Sequence, residues 1–186
     1  MQVYLSLNTL KDRGMILQEF AKIKAIVMDV DGVLTDGTVQ VDEHGEQLRT
    51  FNVKDGYAMH LAISKGLPIV VISGGKNAGV QRRLEGLGIQ EIHLGVADKL
   101  TLLGNILHRF KIELGEVMFI GDDMPDYHCM KAVGIAACPA DAVEEIRQIS
   151  HYVSGKSGGK GVVRELIEKT LKLQNKWFDD NNVKSI

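Results

Sequence analysis

Two acids stand one residue apart in Asp29-Val30-Asp31-Gly32. They follow an apolar run from Ile23 to Met28 whose one charge is Lys24. Such a run reads as a buried strand, and side chains two apart at its end point the same way. In an open α/β sheet, ligands bind at the carboxyl ends of the strands. Like charges held close repel, so the pair needs a proton, a metal or both. Gly32 then allows a tight turn or a close ligand. An EF-hand calcium loop also begins with two such acids. Here Val33 and Leu34 fill its fifth and sixth positions, and no glutamate stands at the twelfth. A second acidic group, Gly121-Asp122-Asp123-Met124-Pro125-Asp126, closes another apolar strand. Between the two groups lie Ser73-Gly74-Gly75-Lys76 and Lys99, each in a post-strand position. A hydroxyl, two glycines and a lysine at a strand-to-helix turn form a natural anion site, because free amides and a helix N-terminus converge there. The spacing is not that of a P-loop. With no His/Cys cluster, zinc is not expected.

The elements that position these residues alternate strand with helix. A short helix over 10–21 leads into a strand over 24–30. Residues 37–52 read as a hairpin: 38–41 alternate, Asp42-Glu43-His44-Gly45 turns, and 47–51 alternate again. Inserted after the acidic pair, it hangs over the site with His44 in an exposed turn. Asp55 is the expected N-cap of a helix that stops at Gly66. Strands follow at 67–72, 89–94, 116–120 and 134–137, with an edge strand at 151–153. Helices run from 77 to 86, from 95 to 110, from 140 to 148 and from 162 to 177, and Pro125 suits the first turn of another. Residues 155–161 read as a flexible basic loop, and 179–186 as a frayed polar tail. The fold class is therefore α/β: a Rossmann-like, mostly parallel sheet with helices on both faces and a hairpin insertion. The stretches from Asp29 to Ser73 and from Lys99 to Asp122 are too short for a large cap domain.

The 186 residues are expected to form a single domain, 1–186. Hydrophobic residues at 45% and charged residues at 25% are ordinary for a globular protein. A net charge of −2 gives no reason to expect nucleic acid or an anionic membrane as partner. Cys129 and Cys138 are not spaced as a redox or metal pair and read as buried thiols. Lys11, Asp12, Arg13 and Glu19 interrupt the first twenty residues, against a secretory signal. No apolar run reaches membrane-spanning length. The expected location is the cytoplasm.

The ordered set Asp29/Asp31, Ser73, Lys99 and Gly121-Asp122-Asp123-Met124-Pro125-Asp126 resembles the four motifs of the haloacid dehalogenase-type phosphohydrolase superfamily. Four segments narrow it: Asp29 to Gly37, Phe51-Asn52-Val53-Lys54-Asp55-Gly56-Tyr57, Gly121-Asp122-Asp123, and Gly158-Gly159-Lys160-Gly161-Val162-Val163-Arg164-Glu165. They resemble the small capless group of 3-deoxy-D-manno-octulosonate 8-phosphate phosphatases, over about residues 22 to 175. The resemblance implies an Mg²⁺-dependent phosphomonoester hydrolase. Asp29 would be the nucleophile, forming an aspartyl-phosphate. Asp31 would be the general acid and then base. Ser73 and Lys99 would hold and neutralise the phosphoryl oxygens. Asp29, the backbone carbonyl of Asp31 and Asp122 would be the metal ligands, with Asp123 or Asp126 holding a metal-bound water or orienting Asp122.

The same resemblance implies a homotetramer, in which hairpin and C-terminal loop of neighbouring subunits wall off the site. Asn52, Lys54, Asp55, Gly74, Gly75, Lys76 and Arg164 would then lie near a sugar acid phosphate. One departure bears on the substrate. The family has an arginine, expected to face the sugar acid, where this chain has Gly75; Lys76 offers only a point charge. That leaves a second reading open, a phosphatase of a nine-carbon 2-keto-3-deoxy sugar acid 9-phosphate. A third, of another class, is a non-catalytic phosphatase-like oligomerisation module.

Overall fold

The computed structural model describes residues 16–177. Residues 16–22 are helical (α1) and lead into β1 (Ala25–Met28). A hairpin of β2 (Gln40–Val41) and β3 (Gln47–Leu48) follows, then α2 (Val53–Ser64), β4 (Ile69–Ser73), α3 (Ala78–Gly86), β5 (Glu91–Leu94) and α4 (Lys99–Phe110). The second half comprises β6 (Val117–Ile120), α5 (Tyr127–Ala132), β7 (Ile135–Cys138), α6 (Glu144–Ile149), β8 (Tyr152–Val153) and α7 (Val162–Leu173). Short 3₁₀ turns at Leu114–Glu116 and Met124–Asp126 flank β6. The main sheet has the order β5-β4-β1-β6-β7-β8, and every pairing in it is parallel.

Buried strands alternate their side chains between two cores. Ile26, Met28, Val71, Met118 and Ile120 face the layer formed by α1, α2, α3 and α7. Val27, Val70, Ile72, Phe119 and Cys138 face α4, α5 and α6. Burial on both faces explains why the strands read as continuous apolar runs. β1 is the central strand. The chain winds outward from it through β4 and β5, then returns to its other side at β6. The ends of β1 and β6 therefore flank the topological switch point.

The expected α/β architecture, with no large cap among the described residues, is the observed one. The expected hairpin is present but shorter, two residues per strand, and its exposed residues pair with each other and with no third strand among the described residues. Asn52, not Asp55, caps α2: its side chain accepts from Lys54 N at 2.8 Å. The last helix ends at Leu173 rather than near Trp177. The frayed tail expected at 179–186 and the first half of the helix expected at 10–21 lie outside the described residues.

The loop at 155–161, expected to be flexible, is anchored in its own chain. Gly158 N donates to Asp141 Oδ1 at 2.9 Å, and Gly159 N to Val33 O at 3.0 Å. Asn52 Nδ2 reaches Gly159 O at 3.3 Å. Gly158 lies so close to the turn after β1 that a Cβ there would fall on Gly32 O, with Thr35 O 2.8 Å away. Gly158→Ala must displace backbone on both sides. It is expected to cost about 1–3 kcal/mol, lowering the melting temperature by several degrees in a thermal unfolding experiment.

Candidate active site

β1 ends at Met28, and the chain turns at once. Val33, Leu34 and Thr35 all donate their amides to Val30 O, at 3.3, 2.9 and 3.1 Å. This tight turn presents Asp29 and Asp31 at the switch point. Gly32 has φ +76°, and a Cβ there would fall on the Asp122 carboxylate. Its missing side chain is what lets the two acidic loops meet.

Lys99 joins them. It starts α4, and its Nζ donates to Asp29 Oδ2 at 2.6 Å and to Asp126 Oδ1 at 2.7 Å. All three side chains are largely or wholly buried. Asp126 Oδ2 in turn accepts from Asp122 N at 3.2 Å, fixing the second loop. Asp29, Asp122 and Asp126 each offer an oxygen within 4.8 Å of the others. Burial works against the Lys99 charge, but Asp126 and Asp29 outweigh it and lift its pKa above the ordinary lysine value. Burial, then the charges of Asp126 and Asp29, push the Asp122 carboxyl up to about 7. Burial and Asp29 raise Asp126 as well, against the pull of Lys99. Three crowded carboxylates with one ammonium among them are a fitting donor set for a hard, oxygen-loving divalent cation. Its charge would reverse the repulsion that raises Asp122.

Asp31 points elsewhere. Its carboxylate is held by a two-pronged pair with Arg49, Nε to Oδ1 at 2.6 Å and Nη2 to Oδ2 at 3.0 Å. Arg49 follows β3, so the hairpin does reach over the acidic pair. Arg49 belongs to none of the sequence motifs. The signal was a basic residue on the return leg of a hairpin already placed over two acids. Ser73 is buried at the end of β4, beside β1, and its Oγ accepts from Gly75 N at 3.2 Å. That role leaves the hydroxyl proton for another acceptor.

The family model for haloacid dehalogenase-like hydrolases matches residues 85–166. The 3-deoxy-D-manno-octulosonate 8-phosphate phosphatase of Yersinia pestis is 34% identical over 161 residues, covering 87% of this chain and 86% of that protein. The chain belongs to the haloacid dehalogenase-like hydrolases. Among solved structures, a hydrolase of this superfamily from Legionella pneumophila superposes with a TM-score of 0.89 at 35% identity, covering 92% of this chain and 94% of that one. The Moraxella catarrhalis 3-deoxy-D-manno-octulosonate 8-phosphate phosphatase, in complex with magnesium ion, phosphate ion and KDO, superposes at 0.85 with 36% identity, covering 88% and 94%.

The remaining expected residues of this hydrolase are dispersed. Asp123 is exposed and accepts from Met124 N at 2.7 Å, so it caps a turn, while Asp126 takes the buried place beside Asp122. Gly74 and Gly75 lie beside Ser73, but Lys76 is exposed and lies along Gly95. Lys54 is exposed. Asp55 is buried, and its Oδ1 accepts from Arg164 N at 2.6 Å, which tethers the start of α7 to α2. Within this chain, the Arg164 guanidinium lies against Tyr57 and Trp177, 5.2 and 4.4 Å from the ring centres, and pairs with Glu168 at 2.8 Å. It does not reach the acidic cluster of its own chain.

Two outcomes follow. Lys99→Met leaves Asp29 and Asp126 without their shared cation and is expected to cost about 3–5 kcal/mol in a urea titration without divalent metal. Asp55, pushed up to about 6 chiefly by burial, holds its proton more tightly folded than unfolded. It therefore stabilises most below pH 4, and that contribution is lost as pH rises through 6. Asp55→Asn keeps an acceptor for Arg164 N without the charge. From pH 4 to 7, wild type should lose about 2 kcal/mol relative to the variant.

Proposed function

We propose that this chain is an Mg²⁺-dependent phosphatase of 3-deoxy-D-manno-octulosonate 8-phosphate. The observation that carries the reading is the buried Asp29–Lys99–Asp126 array with Asp122 beside it. The Yersinia pestis and Moraxella catarrhalis relatives, named for that activity, support the substrate. As a haloacid dehalogenase-like hydrolase with such relatives, the chain is a phosphoric monoester hydrolase.

In the proposed mechanism, an Asp29 oxygen attacks phosphorus as the ester P–O bond breaks. The departing alkoxide takes the proton of Asp31. The resulting aspartyl-phosphate is opened by a water molecule that gives a proton back to Asp31, releasing inorganic phosphate and free Asp29. Lys99 offsets the charge of Asp29 and of the phosphoryl group, and the Ser73 hydroxyl donates to a phosphoryl oxygen. Asp126 keeps Asp122 oriented through its amide. Mg²⁺, held by Asp29, Asp122 and the backbone carbonyl of Asp31, would draw negative charge from the phosphoryl oxygens.

The intact set of acids, hydroxyl and lysine argues against a non-catalytic module. A homotetramer fits the exposed apolar side chains of Val41, Leu48 and Val53, on and beside the hairpin. No helix among the described residues is long and apolar enough to cross a membrane. A cytoplasmic enzyme feeding lipopolysaccharide or a similar surface glycan is the corresponding setting. The nine-carbon alternative rests on Gly75, whose missing side chain leaves room beside Ser73 and Asp31.

The test is phosphate release, with Mg²⁺, from the eight-carbon 8-phosphate, a nine-carbon 9-phosphate and hexose phosphates. The eight-carbon ester should have the highest kcat/KM; preference for the nine-carbon ester would move the assignment to the alternative. Asp29→Asn should abolish turnover in a folded protein, and Asp31→Asn should lower kcat by about 10²–10⁴.

A further inference from the structure

The Asp31 carboxylate is held by Arg49, and Arg49 stands on a hairpin outside the main sheet. Among the described residues, hydrogen bonds join positions 40–50 to the body of the protein at two places. One is the Arg49–Asp31 pair. The other is Asn77 Nδ2, which donates to Gln47 O at 2.8 Å. Gln47 in turn braces the guanidinium: its Oε1 accepts from Arg49 Nη2 at 3.4 Å. The Asp31 side chain is 37% exposed, and an ion pair open to water orders a side chain only weakly. What keeps Arg49 in place is the position of the β3 backbone, and Asn77 fastens that backbone. Asn77 is itself bound at both ends. Its Oδ1 accepts from Val80 N at 3.0 Å and caps α3. The reverse amide orientation would set nitrogen against nitrogen and oxygen against oxygen, so the two bonds fix it. With Asp31, Arg49, Ser73 and Gly75, Asn77 lines a cavity with room for about one water molecule. Hairpin and post-β4 turn therefore meet closely there.

We infer that Asn77 is a positioning residue for the general acid: by pinning Gln47 it sets Arg49, and Arg49 aims Asp31 at the leaving oxygen. The assignment rests on the phosphatase reading above, in which Asp31 gives its proton to the departing alkoxide. A carboxyl group has about four lone-pair sites and the guanidinium takes two of them, so Asp31 is held and still faces the ester. A reacting group misplaced by about 1 Å can lose about a hundredfold in rate. The phosphoryl end of the ester, served by Asp29, Ser73 and Lys99, does not depend on the hairpin. Losing the Asn77 clasp therefore harms proton transfer to the leaving group and spares attack on phosphorus.

The experiment replaces Asn77 by Asp and by Ser. Both keep an oxygen that caps α3 and lose the amide that reaches Gln47 O. kcat/KM is measured on the eight-carbon sugar acid 8-phosphate, whose alkoxide must be protonated as it leaves, and on p-nitrophenyl phosphate, whose phenolate leaves without a proton. In both variants kcat/KM for the sugar ester should fall about tenfold or more and that for the aryl ester less than about threefold, with the melting temperature unchanged. Equal losses on the two esters, at whatever melting temperature, would make Asn77 part of the scaffold alone and overturn the inference while the phosphatase reading stands. No loss on either ester overturns it too. Wild type that releases phosphate from neither ester overturns the phosphatase reading and the inference with it. A second measurement needs the sugar ester alone. In Asp31→Asn, which has no proton to give, adding Asn77→Asp should cost less than about threefold more; a further loss of about tenfold would show that Asn77 does not act through Asp31, and overturns the inference.

Discussion

One lysine holds the site together. Asp29, Asp122 and Asp126 are crowded at the ends of β1 and β6, and their mutual repulsion in a buried setting would drive the two loops apart. Lys99 stands between Asp29 and Asp126 and offsets it. Its place at the start of α4 is set by the fold. The strand before it, β5, is at the sheet edge, and the lysine must reach inward past β4 to the centre. The parallel sheet thus brings together residues from the first, middle and last thirds of the chain at one point.

The second constraint is closeness of backbone. Gly32 allows Asp122 to approach the first acidic loop, and Gly158 allows the segment before α7 to lie on that loop's other side. The turn that carries Asp29 and Asp31 is gripped from both sides, by the β6 loop and by the glycine segment. Asn52 and Asp55 extend the same grip to α2, one by its hydrogen bond to Gly159 O, the other by accepting Arg164 N. Asn52 and Asp55, expected from the sequence to lie near substrate, fasten the scaffold within this chain.

The sheet and the acidic cluster were legible in the sequence because each rests on a local pattern. Buried parallel strands are short apolar runs, and chemistry-bearing residues sit where those runs stop. Asp29, Ser73, Lys99 and Asp122 were all marked in that way. Contacts across the chain were less legible. Asp55 looked like a helix cap because it stands beside a helix start, but Asn52 takes that role and Asp55 serves an amide of α7. Asp123 and Asp126 could not be ranked by spacing; the 3₁₀ turn after β6 turns one outward and the other in. Arg49 was hidden because the hairpin's own alternation carries no information about what lies beneath it. The loop at 155–161 has the composition of a flexible linker, and its order comes from hydrogen bonds to residues more than a hundred positions earlier as well as near ones.

The packing of Gly158 and Gly159 on the turn at 32–35 also sets an order of assembly during synthesis. β1 and its two acids leave the ribosome early, but their strand partner β6 and the glycine segment follow much later. Contacts of such long sequence separation are slow to close. Until the last quarter of the chain has emerged, the turn at 32–35 has its own hydrogen bonds and the loop after β6 but not the glycine segment on its other side. A chain halted before Gly158 would carry all six strands of its central sheet and both acidic loops, yet lack the glycine segment that packs on the turn at 32–35.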